Sequence, residues 1–357
     1  MNRNKVIIGL SGGVDSSVAA YLLKQDGFEV IGVTLKLFEA SGKFSNDDYI
    51  QQAKQIANNL EIEHLVIDVR AEFETKIIKY FANEYFNART PSPCTLCNKI
   101  IKHKTLLDIA DKNNAYYVAT GHYISIKKEN NKHYIYKGKD NVKDQSYFLW
   151  QLTNEMLSRT LSPLGKYSKD EVRQIASKLR FKDIYDKKES MGVCFLQKSN
   201  YRDFLKNTFS EQINEVKQGN VLDESGNIIG THSGLVNYTI GQKNGITYLN
   251  EPKNLYVKKM NNKTNTITVC EKQELNTKEL YITDYSFIDI DDLNKEGIKV
   301  IVRGYGLNPE KECRKILIED NYIKVELEDE AWAPANGQPI VFYIENKLLG
   351  GGITYIV

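Results

Sequence analysis

The chain has 357 residues, with 41% apolar and 10% aromatic side chains, a composition that excludes disordered, collagen-like and coiled-coil proteins and leaves room for two or three domains. Its 48 Lys and Arg against 46 Asp and Glu leave a formal charge of +2, so no uniformly basic domain announces a nucleic acid, and an RNA partner has to be met by locally gathered charge. No stretch approaches the roughly 18 to 20 apolar residues of a membrane span and the apolar run 6–10 is too short for a signal segment, so a cytoplasmic location without a membrane partner is expected, where five cysteines do not make a disulfide framework.

Residues 5–10 read as a first strand, followed by a glycine turn and a helix over about 16–25 that Gly27 ends. A second strand is expected over 29–35, a helix over 46–60 with Ile50, Ala53, Ile56, Ala57 and Leu60 on one face, and a third strand over 64–69. A long helix then runs to about Phe86, a further one covers about 98–113, and a fourth strand follows at 116–119. Strands separated by helices of this length predict right-handed crossovers and a parallel sheet, whose ligands bind at the carboxyl ends of the strands. Beyond about residue 200 glycines punctuate short segments, and from about 275 short alternating strands predict a small β-barrel or sandwich.

The segment Gly9, Leu10, Ser11, Gly12, Gly13, Val14, Asp15, Ser16 lies where a strand ends and a helix begins, which aims backbone N–H groups and a positive helix end at an anion. A plain glycine turn with Asp15 and Ser16 capping the helix is the ordinary alternative, but two glycines framed by serines favour a phosphate site. It is not a Walker A loop, because the Gly-Lys-Ser/Thr ending is missing.

SGGVDSS resembles the PP-loop of ATP pyrophosphatases. Six further motifs, TPSPCTLCNKIIKH from 90, ATGHY from 119, KDQSYFL from 143, KKESMGVCFL from 187, YTIGQKNGI from 238 and LGGGI from 349, with Gly337 and Gln338, resemble in order and spacing the tRNA-specific 2-thiouridylases. That resemblance covers essentially the whole chain. It implies an α/β protein with an N-terminal parallel-sheet PP-loop domain (adenine nucleotide alpha hydrolase-like) over 1–200, a small central tRNA-contacting domain over 201–273 and a C-terminal β-barrel over 274–357. The implied reaction is ATP-dependent replacement of the 2-oxygen of the wobble uridine by sulfur, in tRNAs for Lys, Glu and Gln, with Mg2+ beside ATP and a persulfide donor protein as partner.

By the same resemblance Cys97 is the nucleophile, Cys194 carries the persulfide, and the two are left as a disulfide after transfer. Cys97 precedes the helix expected from Asn98, so the helix dipole and Lys99 are expected to lower its pKa. The phosphate segment with Leu35 and Gly121 holds ATP. Cys97, Asn98, Lys99, His122, Lys143, Asp144, Gln145, Arg303, Gly304 and Gln338 meet tRNA, and Lys99, Lys102, His103 and Lys104 form a basic cluster beside the cysteine. The sequence departs from the common family pattern at Cys94, where many members carry an Asp three residues before the nucleophile. A thiol cannot replace a carboxyl group, so the acid/base role is open. Cys94, Cys97 and Cys194 also resemble a three-cysteine iron–sulfur site, which ranks slightly behind the persulfide route, and zinc ranks lower for want of further ligands. A small-molecule PP-loop synthetase and a non-enzymatic RNA adaptor are the remaining alternatives. The loop around 186–197 is expected to rearrange on tRNA binding.

Overall fold

The computed structural model describes residues 1–39, 46–179, 192–197, 199–251, 254–303 and 308–355. Among them a parallel sheet forms from β1 (Asn2–Gly9), β2 (Glu29–Lys36), β3 (Glu63–Asp68), β4 (Ala115–Ala119) and the short β7 (Thr160–Leu161), in the order β3-β2-β1-β4-β7. Alternation along β1 explains its place in the middle. Val6 and Ile8 pack with α1 (Val14–Gln25) on one face, while Ile7 packs with α6 (Lys104–Lys112) on the other, so both faces are covered. The α2 helix (Asn46–Asn59) and α8 (Lys169–Lys178) lie on the α1 side through Ala53, Ile56, Val172 and Ala176.

Two expected helices depart from regular geometry. The one after β3 consists of α3 (Arg70–Phe73), a π-helical stretch Glu74–Ile78 and α4 (Lys79–Phe86). The next begins five residues earlier than expected, at Pro93, whose missing N–H suits a first turn, and comprises α5 (Pro93–Cys97), a π-helical stretch Asn98–His103 and α6. Cys97 therefore lies within the helix rather than ahead of it.

The sequence reading passed over the hairpin of β5 (Ile124–Glu129) and β6 (Lys132–Lys137), joined by Asn130 and Asn131 at φ 47° and 64°, the signature of a tight primed turn. It reaches out of the first 200 residues: β6 pairs with β18 (Lys347–Thr354), and Lys347 Nζ meets Glu129 at 2.9 Å. Trp150, Leu149 and Ile135 pack against Val341 and Leu348, which seats the last domain on the first.

A central five-stranded sheet, β10-β9-β8-β12-β11, spans Gly219–Leu222 (β8), Ile228–His232 (β9), Thr247–Tyr248 (β10), Tyr256–Asn261 (β11) and Thr266–Cys270 (β12). The last domain orders its strands β14-β17-β18-β13-β16-β15, from β13 (Asn276–Phe287) through β14 (Ile298–Ile301), β15 (Cys313–Ile318), β16 (Ile323–Trp332) and β17 (Pro339–Ile344) to β18, and its terminal strands β14 and β15 touch, as in a barrel. No helix among the described residues is long and apolar enough to cross a membrane.

Candidate active site

The phosphate segment sits at the carboxyl end of β1. Ser11 N–H donates to Ser16 Oγ (3.1 Å), and Ser16 and Ser17 hydroxyls both donate to the Gly13 carbonyl (3.1 and 2.7 Å). The N–H groups of the first turn of α1 have no intrahelical acceptor, so they remain for an anion. Gly12 needs its freedom twice: φ is +73°, and a Cβ would come within 2.7 Å of the Tyr49 carbonyl oxygen. Gly13 at φ −97° is ordinary backbone, so only one of the two glycines answers a conformational demand.

Leu35 and Gly121 border this segment. Tyr49 Oη donates to the Leu35 carbonyl (3.3 Å), and Gly121 packs directly on the backbone of Asp15 and Ser16. Asp15 is held by two groups that sequence reasoning missed. Lys169 Nζ lies 2.8 and 2.9 Å from its carboxylate oxygens, and Tyr123 Oη donates to it at 2.6 Å. The signal for Lys169 was the capping box Ser168…Glu171, which starts α8 and buries the first helical side chain against α1. Lys169→Met is expected to leave Asp15 without its cation, to cost about 1–3 kcal/mol, and to lower the melting temperature by a few degrees, as scanning calorimetry would show.

The segments that carry Cys97 and Cys194 pack in one cluster beyond this loop. Cys97 is buried in an aromatic cluster with Phe73, Phe81 and Phe195, and Val193, Phe195 and Leu196, which flank Cys194, pack into that same cluster. Phe195 is the anchor, with its ring 5.1 Å from Phe81 and from Phe204 and 5.9 Å from Phe73. Cys194 thus comes within electrostatic reach of Cys97 while staying exposed to solvent. All five cysteines are free thiols.

The expected lowering of the Cys97 pKa is reversed. Burial pushes the thiol up to about 12, against the pull of Lys102, and burial likewise raises Cys94 and Cys194. A cysteine inside a continuous helix does not sit at the positive end of the dipole, and the cation that acts on it is Lys102, not Lys99.

The cluster Lys99, Lys102, His103, Lys104 also divides. Lys104 turns outward to Asp108 (2.9 Å), while His103 is 1% exposed and hydrogen-bonds through Nδ1 to the Asn98 carbonyl (2.9 Å). Burial lowers His103 to about 4, with Lys102 adding, and holds His122 well below the ordinary imidazole range. Both rings, with centroids 6.4 Å apart, are neutral at pH 7. Between about pH 6.5 and 4 the unfolded chain therefore binds a proton that folded His103 refuses. Stability is full above pH 6.5 and falls on acidification by up to about 1.4 kcal/mol per pH unit from this group. Thermal melts at pH 7, 6 and 5 should show that decline, and His103→Gln should make it shallower, with buried His122 supplying the remainder.

Asn98, Asp144 and Gln145 hold the chain together here. Asn98 Nδ2 donates to the Phe148 carbonyl (3.0 Å), leaving its buried Oδ1 without a partner. Asp144, raised by burial, accepts from the Ser146 hydroxyl (2.7 Å), and Gln145 Oε1 accepts from Tyr123 N–H (3.2 Å). Lys143 N–H donates to Asp140 (3.1 Å).

Arg303 and Gln338 lie where the last domain meets the first. Thr90 N–H donates to the Asn336 carbonyl (2.7 Å), and a Cβ on Gly337 would touch the Thr90 carbonyl at 3.1 Å. Arg303 donates to the Ala333 carbonyl (2.6 Å) and lies over the Trp332 ring at 4.9 Å. Thr90 Oγ1, Arg303 Nε, Trp332 Nε1 and Gln338 Oε1 are buried without partners. Gly304, and Lys187 and Lys188 of the 186–197 loop, fall outside the described residues.

No three His, Cys, Asp or Glu side chains among the described residues converge as metal ligands. Cys94, Cys97 and Cys194 share one electrostatic neighbourhood.

Comparison with known proteins agrees with this architecture. A family model described as the tRNA methyl transferase HUP domain matches residues 4–198, a tRNA methyl transferase PRC-barrel domain matches 202–271, and an aminomethyltransferase β-barrel domain matches 277–354. A tRNA-specific 2-thiouridylase MnmA 2 from Clostridium tetani is 39% identical, covering 98% of this chain and 98% of that protein. An MnmA 1 from Clostridium botulinum is 38% identical, covering 98% and 99%. Solved structures are less alike: a 4-thiouridine synthetase–RNA complex with bound ATP has 20% identity and a TM-score of 0.38, covering 55% of this chain and 46% of that one. The fold and site are those of an enzyme built on a HUP domain with two β-domains appended. The chain belongs to the tRNA-specific 2-thiouridylase family.

Proposed function

We propose that the protein activates the 2-oxygen of a tRNA wobble uridine with ATP and Mg2+ and replaces it by sulfur, the polyphosphate lying on the turn from Gly9 to Ser16 with the adenosine between Leu35 and Gly121. The observation that carries this reading is the convergence of two chemistries in one cleft. The phosphate turn touches Gly121, His122 stacks on His103, and Lys102 of the same helix reaches Cys97 and Cys194.

Attack of the uracil oxygen on the α-phosphorus releases pyrophosphate and makes AMP the leaving group, a role that oxide cannot fill. The terminal sulfur of a Cys194 persulfide, loaded by a donor protein, then attacks C2 and AMP departs. Cys97, having given its proton to solvent, attacks the Cys194 sulfur. The electron pair of the broken S–S bond returns to the transferred sulfur, the uracil N3 regains a proton, and 2-thiouridine leaves a Cys97–Cys194 disulfide for an external dithiol to reduce. Buried His122 and His103, neutral in this cleft, suit a pocket that accepts an uncharged flipped base.

The test is turnover of ATP to AMP and pyrophosphate with and without tRNA, with digested tRNA examined for 2-thiouridine. Tight dependence of both products on tRNA is expected, whereas stimulation by a free amine and not by tRNA would overturn the reading. Arg303 and Gln338 with their unpartnered polar atoms are assigned to the tRNA. Arg303→Ala should weaken tRNA binding by about tenfold and reduce its salt dependence, with ATP affinity unchanged, in filter-binding titrations.

A further inference from the structure

Lys102 is a partly buried cation that has no carboxylate within ion-pair distance among the described residues, and it makes none of their hydrogen bonds to side chains. Its placement follows from an irregularity of the helix. In a regular α-helix the residue five positions after Cys97 points about 140° away from it. The stretch Asn98–His103 is π-helical, and its i→i+5 repeat returns Lys102 toward the face that carries Cys97. Cys94, three residues before Cys97 in α5, shares that face. From across the cleft comes Cys194, held by Phe195 in the aromatic cluster that also buries Cys97.

Among the described residues the titratable groups within electrostatic reach of Lys102 are thus Cys94, Cys97, Cys194, His103 and His122. The imidazoles are neutral and the thiols are protonated at rest, so among the described residues the ammonium faces no fixed anion. Partly withdrawn from water, this cation interacts with whatever negative charge arises on sulfur.

We propose that Lys102 is the positioning residue that neutralises the sulfur anions of the transfer, the Cys97 thiolate and the ionised terminal sulfur of a Cys194 persulfide, with the π-helical stretch serving to aim it. This rests on the assignment of Cys97 and Cys194 as the sulfur-handling pair. The raised pKa of Lys102, where the three sulfurs outweigh the lowering by burial, agrees with it. A lysine fits the role because its compact charge serves a single sulfur atom. Cys94 cannot be the acid that many relatives carry at its position, and it contributes one more thiol to the same field.

The test needs neither tRNA nor ATP turnover, so its failure is distinguishable from failure of the proposed reaction. Full-length protein is alkylated with iodoacetamide between pH 7 and 10, and Cys97 and Cys194 are followed separately by peptide mass. Lys102→Met is expected to slow alkylation of both about tenfold at pH 8 and to move the rate profile to higher pH, while Lys102→Arg restores most of the wild-type rate and ATP affinity stays within about twofold. Equal rates in wild type and folded Lys102→Met would overturn the proposal. In wild-type protein, anionic iodoacetate should gain on neutral iodoacetamide relative to an unstructured cysteine peptide. A ratio no higher than the peptide's would overturn it even if the Met variant fails to fold.

Discussion

Cys97→Ser is expected to lower 2-thiouridine formation by at least about a thousandfold and to trap tRNA on Cys194 as a mixed disulfide. Serine keeps the size and the helical position, so the aromatic cluster of Phe73, Phe81 and Phe195 should still close over it and the fold should persist. What is lost is an atom that can attack sulfur and form a disulfide. The first half of the transfer, attack of the persulfide on the activated uracil, does not need Cys97, whereas the second does. Denaturing gels should therefore show a covalent tRNA–protein species that a dithiol dissolves, and no such species in Cys194→Ser. Free turnover in Cys97→Ser, or a trapped species that resists dithiol, would defeat the assignment. The pH dependence has a definite sign. Because burial pushes the Cys97 thiol up to about 12, its thiolate fraction rises about tenfold per pH unit across the working range, and a rate limited by its attack should rise with it.

Gly121→Ala should abolish useful ATP binding, with a loss of about a hundredfold in affinity and a lower melting temperature. A Cβ there lies 2.8 Å from the Ser16 nitrogen, 2.9 Å from the Asp15 carbonyl carbon and 3.0 Å from the Ser16 Cα. All three are backbone, so the first turn of α1 has to move, and with it the N–H groups assigned to the phosphates and the Ser11 to Ser16 hydrogen bond. Gly13→Ala is the control. Its Cβ meets only the Ser11 Oγ at 3.4 Å and its φ is that of any residue, so ATP affinity should change by no more than about threefold. Equal losses in the two variants would mean that glycine content, rather than the packing of β4's exit on the helix start, governs the site.

Much of the molecule was legible because its signals are local. Strands β1 to β4 announce themselves as apolar runs, Gly12 and Asp15 sit at a strand-to-helix turn, and a parallel sheet places Leu35 and Gly121 at its carboxyl edge. The hairpin β5–β6 was passed over although Asn130 and Asn131 mark its turn, since its strands carry charged and aromatic residues that make sense only once β18 lies beside them. A capping box marks the helix start at Lys169, but its pairing was hidden for a related reason: its partner Asp15 is 154 residues away.

What the sequence by itself determined was the order of motifs, the kind of glycine turn at the strand-to-helix junction and the family they resemble, because each is a matter of residue type and spacing along the chain. What only the tertiary structure decided was the state of those groups. Spacing placed Cys97 ahead of a helix and promised an acidic thiol beside a basic cluster, but the helix starts at Pro93 and closes a π turn. Burial then raises the thiol, silences His103 and His122, sends Lys104 to Asp108 and leaves Lys102 facing the sulfurs. Proton affinity depends on the desolvation and field at a point in space, and that point is shared by segments a hundred residues apart in the chain.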